Sequence, residues 1–209
     1  MAELFRGNAM HYKVSDQEIS AAKIPHHIFN LNVILTHLAI SQVALEIGDG
    51  SPSNLLLIPL ISMMVITYFY TKSKKLNDSG DSWFVAAHWT LAWRRGRVLA
   101  ISYAVAGIII AVIMGVGSLI GGGMMMNDLS TDGGSSPIHE KITMFLSAVI
   151  VFFTLLVMFL QEGISVYDAG KGIIDKKIEK FAPRSENSNE ELGEHEQHRK
   201  SSTPAEETK

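Results

Sequence analysis

The chain has 209 residues, a formal net charge of −3, 47% hydrophobic residues and no cysteine. So small a net charge leaves no electrostatic footprint for nucleic acid or an acidic substrate. The absence of cysteine excludes disulfides, thiolate metal sites and cysteine nucleophiles. The hydrophobic residues gather into four long uncharged stretches, Ile28–Leu45, Ser51–Thr71, Val98–Asn127 and Ile142–Gln161. A helix needs about 20 apolar residues to cross a bilayer core.

Residues 1–25 are polar and mixed in charge, with no apolar core of a secretion signal and no small-residue cleavage site. The first span, about 28–47, is therefore expected to act as its own uncleaved insertion signal. It is the least apolar of the four, interrupted by Asn30, Asn32, Thr36, His37, Ser41 and Gln42. Asn30, Ile34, His37, Ser41, Ala44 and Gly48 fall on one helical stripe, and His37 falls near mid-membrane. An ionisable residue at that depth faces a bundle interior or a cavity. It reads as a proton relay, a metal ligand, a haem ligand, or a neutral imidazole bonded to a neighbouring helix. His26 and His27 mark the edge of this span. Neighbouring helix positions point about 100° apart, so the two are expected to be a boundary pair rather than a chelate.

The second span, about 54–71, has Pro59 in its first turns, where a missing amide hydrogen is tolerated, and ends in Tyr68, Phe69 and Tyr70, as at a headgroup boundary. Asp81 or Ser82 can then cap a helix beginning at Trp83. Val85, Trp89 and Trp93 recur at helical spacing, followed by Arg94, Arg95 and Arg97, which predicts an interfacial helix leading into the third span. His88 falls within it.

The third span, about 98–121, carries small residues at Ala100, Ala104, Gly107, Ala111, Gly115, Ser118 and Gly122. Such a seam lets helix backbones approach closely, within the chain's own bundle or in a homo-oligomer or partner subunit. The outer loop after it holds Met124, Met125 and Met126, with Asp128, Asp132, His139 and Glu140. These are weak copper-ligand candidates, since thioethers suit Cu(I) but consecutive methionines have no ligand spacing.

The fourth span, about 142–161, is the most apolar and is expected to face lipid. After it, Tyr167, Ile174, Ile178 and Phe181 predict an amphipathic cytoplasmic helix over 163–182. Residues 183–209 are Glu-rich, include His195 and His198, and read as a disordered charged tail.

Lys and Arg settle the threading. They cluster in the N-terminal segment, between the second and third spans and after the fourth, and are nearly absent from 46–54 and 124–141. Four crossings put every basic cluster on one side, as the positive-inside rule requires. The expectation is an all-α protein with a four-helix transmembrane domain over 26–162 and both termini cytoplasmic. A bacterial plasma membrane, with its lipid bilayer as the immediate partner, is the expected location.

No GxSxG, HExxH, P-loop or dinucleotide fingerprint occurs, so no catalytic residue is assigned. Glu46 and Glu162 end different helices on opposite membrane faces and cannot pair. A haem bridging two helices would need a second histidine at the depth of His37, and the other spans have none. Three functions remain: a structural or accessory subunit, an oligomeric transporter or channel for a small solute, ion or proton using the His37 stripe, and a haem or copper redox protein.

Overall fold

The computed structural model describes residues 9–47, 52–119, 138–184 and 189. Helix α1 runs Asp16–Ile34, passes through a π-helical turn at Leu35–Ile40 and resumes as α2, Ser41–Ile47. A 3₁₀ turn at Pro52–Leu56 leads into α3, Leu57–Ser79. Helix α4 spans Trp83–Leu119 and α5 spans Ile138–Gly170. Strand β1, Ala9–His11, pairs antiparallel with β2, Ile173–Asp175, and a 3₁₀ turn follows at Lys176–Lys180. Four helical stretches are long and apolar enough to cross a membrane: Asp16–Ile47, Asn54–Ser79, Trp83–Val116 and Ile142–Gly170.

Burial follows the logic of a chain solvated by lipid. Polar Asn32, Thr36, Ser62 and Ser73 are buried, while Leu31, Leu38, Leu60, Met64, Ile101, Ile108, Phe145 and Phe152 are exposed. Apolar area on that scale is not left uncovered on a monomer surrounded by water, and it is consistent with a membrane-embedded chain.

The chain divides into two compact units, Met1–Arg94 with Leu160–Lys209, and Arg95–Phe159. In the first unit, side-chain hydrogen bonds tie the helices. Asn32 Nδ2 donates to Ser62 Oγ at 3.0 Å, and Thr36 Oγ1 donates to Asn32 Oδ1 at 3.0 Å. Ser73 and Thr90 hydroxyls bond at 2.8 Å, and Asn77 Nδ2 reaches Thr90 Oγ1 at 3.1 Å. Phe29 stacks on Phe69, with Trp89 edge-on to Phe69. Phe69 is thus a core residue, not the headgroup anchor its position predicts; Tyr68 and Tyr70 are the exposed pair.

The same unit closes on the terminal segments. Tyr12, Ala22, Trp83, Phe84, Ala87, Ala169, Ile174, Ile178 and Ala182 form one core. A large apolar side chain fully buried there contributes about 1.5–3 kcal/mol. Trp83 Nε1 donates to the Ala182 carbonyl at 2.8 Å. Ser15 caps α1 in a capping box with Glu18, whose carboxylate also accepts from Ser82 Oγ at 2.7 Å and Asn189 Nδ2 at 2.8 Å. Asn189 Oδ1 in turn accepts from the Phe84 amide at the start of α4. Partial burial pushes the Glu18 carboxyl up. Hydrogen bonds from Asn189, the Ser15 amide, Ser82 and the Ser15 hydroxyl outweigh this and hold it at about 2.

In the second unit the C-terminal part of α4 packs with the N-terminal part of α5. Leu99, Ser102, Ala106, Thr143, Ser147 and Met158 are buried, and Ser147 Oγ donates to the Ala106 carbonyl at 3.4 Å.

Two expectations are revised. The helix from Trp83 is capped as predicted, with the Val85 amide 3.4 Å from Ser82 Oγ. It is not a separate interfacial helix, however. It runs unbroken into the third span, and Trp83, Val85 and Trp89 are buried in protein rather than laid at a surface. The residues 163–182 do not form an amphipathic helix either. Helix α5 continues to Gly170, and Gly172 adopts φ +69° in the left-handed region. A Cβ at Gly172 would stand 2.8 Å from the Tyr12 carbonyl oxygen. The chain turns there into β2, which buries Ile173 and Ile174 against the terminal core.

The small-residue seam on α4 is largely uncovered within the chain. Ala104, Gly107, Ala111 and Gly115 are exposed and Ala100 is half-buried. The helix packs instead through Leu99, Ser102 and Ala106, one residue round from the seam and therefore about 100° away. Ser118 and Gly122 lie outside the described side chains, as do Met124, Met125, Met126, His139, His195 and His198.

Candidate functional site

The first unit gathers its buried ionisable groups into one place. Among the described residues the buried acidic, basic and histidine side chains are His26, His88 and Glu162. His26 comes from α1, His88 from the first turns of α4 and Glu162 from the C-terminal part of α5. Their relative exposures are 0%, 1% and 0%.

These three form a single line of hydrogen bonds. His26 Nδ1 bonds Glu162 Oε2, and His26 Nε2 lies 2.8 Å from His88 Nδ1. The two imidazoles meet edge to face at 84°, with centroids 5.1 Å apart. Phe84, one turn before His88, packs edge-on against it at 4.6 Å. Pro25 beside His26 is fully buried inside α1. Proline interrupts the helical hydrogen-bond ladder, so the site sits next to a local break in that ladder.

Both nitrogens of His26 are committed, one to a carboxylate and one to an imidazole. The ring therefore keeps no lone pair for a metal. What the arrangement can do is hold and move a proton. With Glu162 as acceptor, His26 carries a proton on Nδ1. Its Nε2 then either accepts from or donates to His88 Nδ1, and the two settings belong to different tautomers of the pair.

The stripe singled out on the first span is placed differently. His37 is half-buried, lies within the π-helical turn and bonds back to the Asn32 and Val33 carbonyls of its own helix. A π turn offers such carbonyls because it dislocates the regular ladder. Ser41 Oγ donates to the His37 carbonyl at 2.6 Å. Asn30 is half-buried, and its Oδ1 is shielded from solvent without a hydrogen-bond partner. The structure thus brings His37 and Ser41 together through the backbone. It does not join Asn30 to them.

Sequence reasoning missed the His26–His88–Glu162 cluster. The sequence separations are 136 residues for His26–Glu162 and 62 for His26–His88, so no local spacing betrays it. A topological signal was available: the threading puts all three at the same end of their helices.

The fold class defined by these observations is mostly helical, with four potential membrane spans. No family model, curated protein or solved structure matches the chain.

Proposed function

We propose that this protein is a four-span integral membrane protein, with both termini on the cytoplasmic side, acting as a structural or accessory subunit of a membrane complex. The observation that carries this reading is how its buried polar side chains are spent. Asn32 with Ser62, then Ser73 and Asn77 with Thr90, then His26 with His88 and Glu162, bond between helices. Such bonds act as interhelical glue.

The topology has two supports. The β1–β2 pairing brings the N-terminal and C-terminal segments together, as an even number of crossings demands. The basic residues favour the cytoplasm for that side. The exposed Ala104, Gly107 and Ala111 on α4 give a second helix a place to approach closely. Cross-linking in native membranes, followed by purification in mild detergent, tests the reading. A defined partner or a fixed multimer is expected. A strictly monomeric, partner-free protein would overturn it.

A further inference from the structure

We propose that Glu162, His26 and His88 together form a binding site for one proton, which the two imidazoles relay between them. The ligand is the proton itself, and the claim does not depend on the identity of any partner protein.

The arrangement is built rather than incidental. Each of the three side chains comes from a different helical segment, and all are essentially without solvent exposure. The bond between the rings is 2.8 Å, a normal hydrogen-bond length that requires one nitrogen to donate and the other to accept. His26 cannot avoid this choice, because its Nδ1 is already given to Glu162.

Two states of the cluster satisfy every one of these bonds. In the first, Glu162 is a carboxylate, His26 is protonated on Nδ1 alone, and His88 donates from Nδ1 to the lone pair of His26 Nε2. The cluster then carries one negative charge. In the second, a proton has arrived at His88 Nε2. The proton on His88 Nδ1 passes to His26 Nε2, and His26 becomes an imidazolium between the carboxylate and a neutral His88. The states differ by one proton, no heavy atom need move, and the second leaves no uncompensated buried charge.

Among the described residues, no other ionisable group is buried with them. The buried residues of α3 are Ser62, Ile66, Phe69 and Ser73. Beyond Glu162, the buried residues of α5 are Ser165 and Ala169. On α1 the nearest basic or histidine residues in sequence are Lys23, half-buried, and His27, exposed; on α4 and α5 the nearest charged residues are Arg94 and Asp168, both half-buried. Glu162 Oε1 and His88 Nε2, the two outer atoms of the line, are themselves out of contact with solvent.

The test is nitrogen NMR on full-length protein with ¹⁵N-labelled histidine in lipid nanodiscs, titrated over roughly pH 5 to 8. His26→Gln and His88→Gln assign the signals. In the wild type, a ¹⁵N–¹⁵N coupling across the hydrogen bond should join the two rings. Both rings should change tautomer or charge at one common midpoint, and Glu162→Gln should move that midpoint. Rings that titrate separately, or that do not change across the range, would overturn the proposal. So would absence of the coupling in the wild type, an outcome that remains readable even if Glu162→Gln does not fold.

Discussion

His26 Nε2 lies 2.8 Å from His88 Nδ1, while the other nitrogen of His26 is bonded to Glu162. One imidazole thus joins α1 to both α4 and α5. Truncating it would remove a hydrogen-bond partner from the buried Glu162. Removing one member of a buried charged or hydrogen-bonded pair costs about 3–5 kcal/mol. We expect His26→Ala to lower stability by that order. The double variant His26→Ala with Glu162→Ala should lose less than the sum of the two single variants, because the two side chains bond each other. Thermal unfolding in detergent, followed by tryptophan fluorescence, measures both. Additive losses would show that the two side chains are not coupled.

Glu18, in the first turn of α1, supplies a pH prediction. Its carboxyl falls from the ordinary 4.5 to about 2 in the folded chain. A depressed folded value means the carboxylate stabilises the fold above pH 4.5, and this is lost as pH falls through about 2. Wild type should therefore lose stability relative to Glu18→Gln over that interval, with the gap widest above it. Unfolding midpoints of the two proteins at several acidic pH values check this. A constant gap would contradict it.

Gly172 joins two demands at one position, the left-handed φ of +69° and the Tyr12 carbonyl oxygen 2.8 Å from a Cβ. Gly172→Ala is expected to destabilise the protein by about 1–3 kcal/mol. The loss should centre on the β1–β2 pairing, since the Tyr12 amide donates to the Gly172 carbonyl. Amide exchange at Tyr12 and Ile174, compared between the two proteins, reports on it. Unchanged protection would argue against the local geometry.

Asn32 bridges Ser62 and Thr36 within the first unit. Interhelical hydrogen bonds inside membranes contribute about 0.6 kcal/mol on average and up to about 1.7. Asn32→Ala should cost that order, and pairing it with Ser62→Ala should cost little more. A double-mutant cycle on the unfolding free energy checks the coupling.

The helices were largely legible in the sequence, the side-chain constellation was not. Uncharged runs such as Val98–Ile120 announce a span because length and composition alone decide whether a helix suits a bilayer. The start of α4 at Trp83 was legible because Ser82 carries the capping chemistry itself. The region after α5 was misread because Ile174 and Ile178 keep a helical spacing that Gly172 overrides through its backbone geometry. The seam on α4 was legible as small residues, but periodicity does not reveal which stripe meets α5. His26, His88 and Glu162 were not legible because depth read from the sequence singles out His37, the histidine nearest the middle of an uncharged stretch. The buried cluster instead uses side chains at the polar ends of the spans, where ordinary boundary residues also occur.

The natural absence of cysteine allows the account's central claim to be tested with single introduced cysteines and a membrane-impermeant maleimide. Cysteines replacing Gly50 or Ser135 should be labelled in intact cells. Those replacing Ser79 or Ser188 should be labelled only after the membrane is opened. That pattern fits four crossings with the paired termini on the cytoplasmic side. Labelling of Ser188→Cys in intact cells, with Gly50→Cys protected, would contradict it.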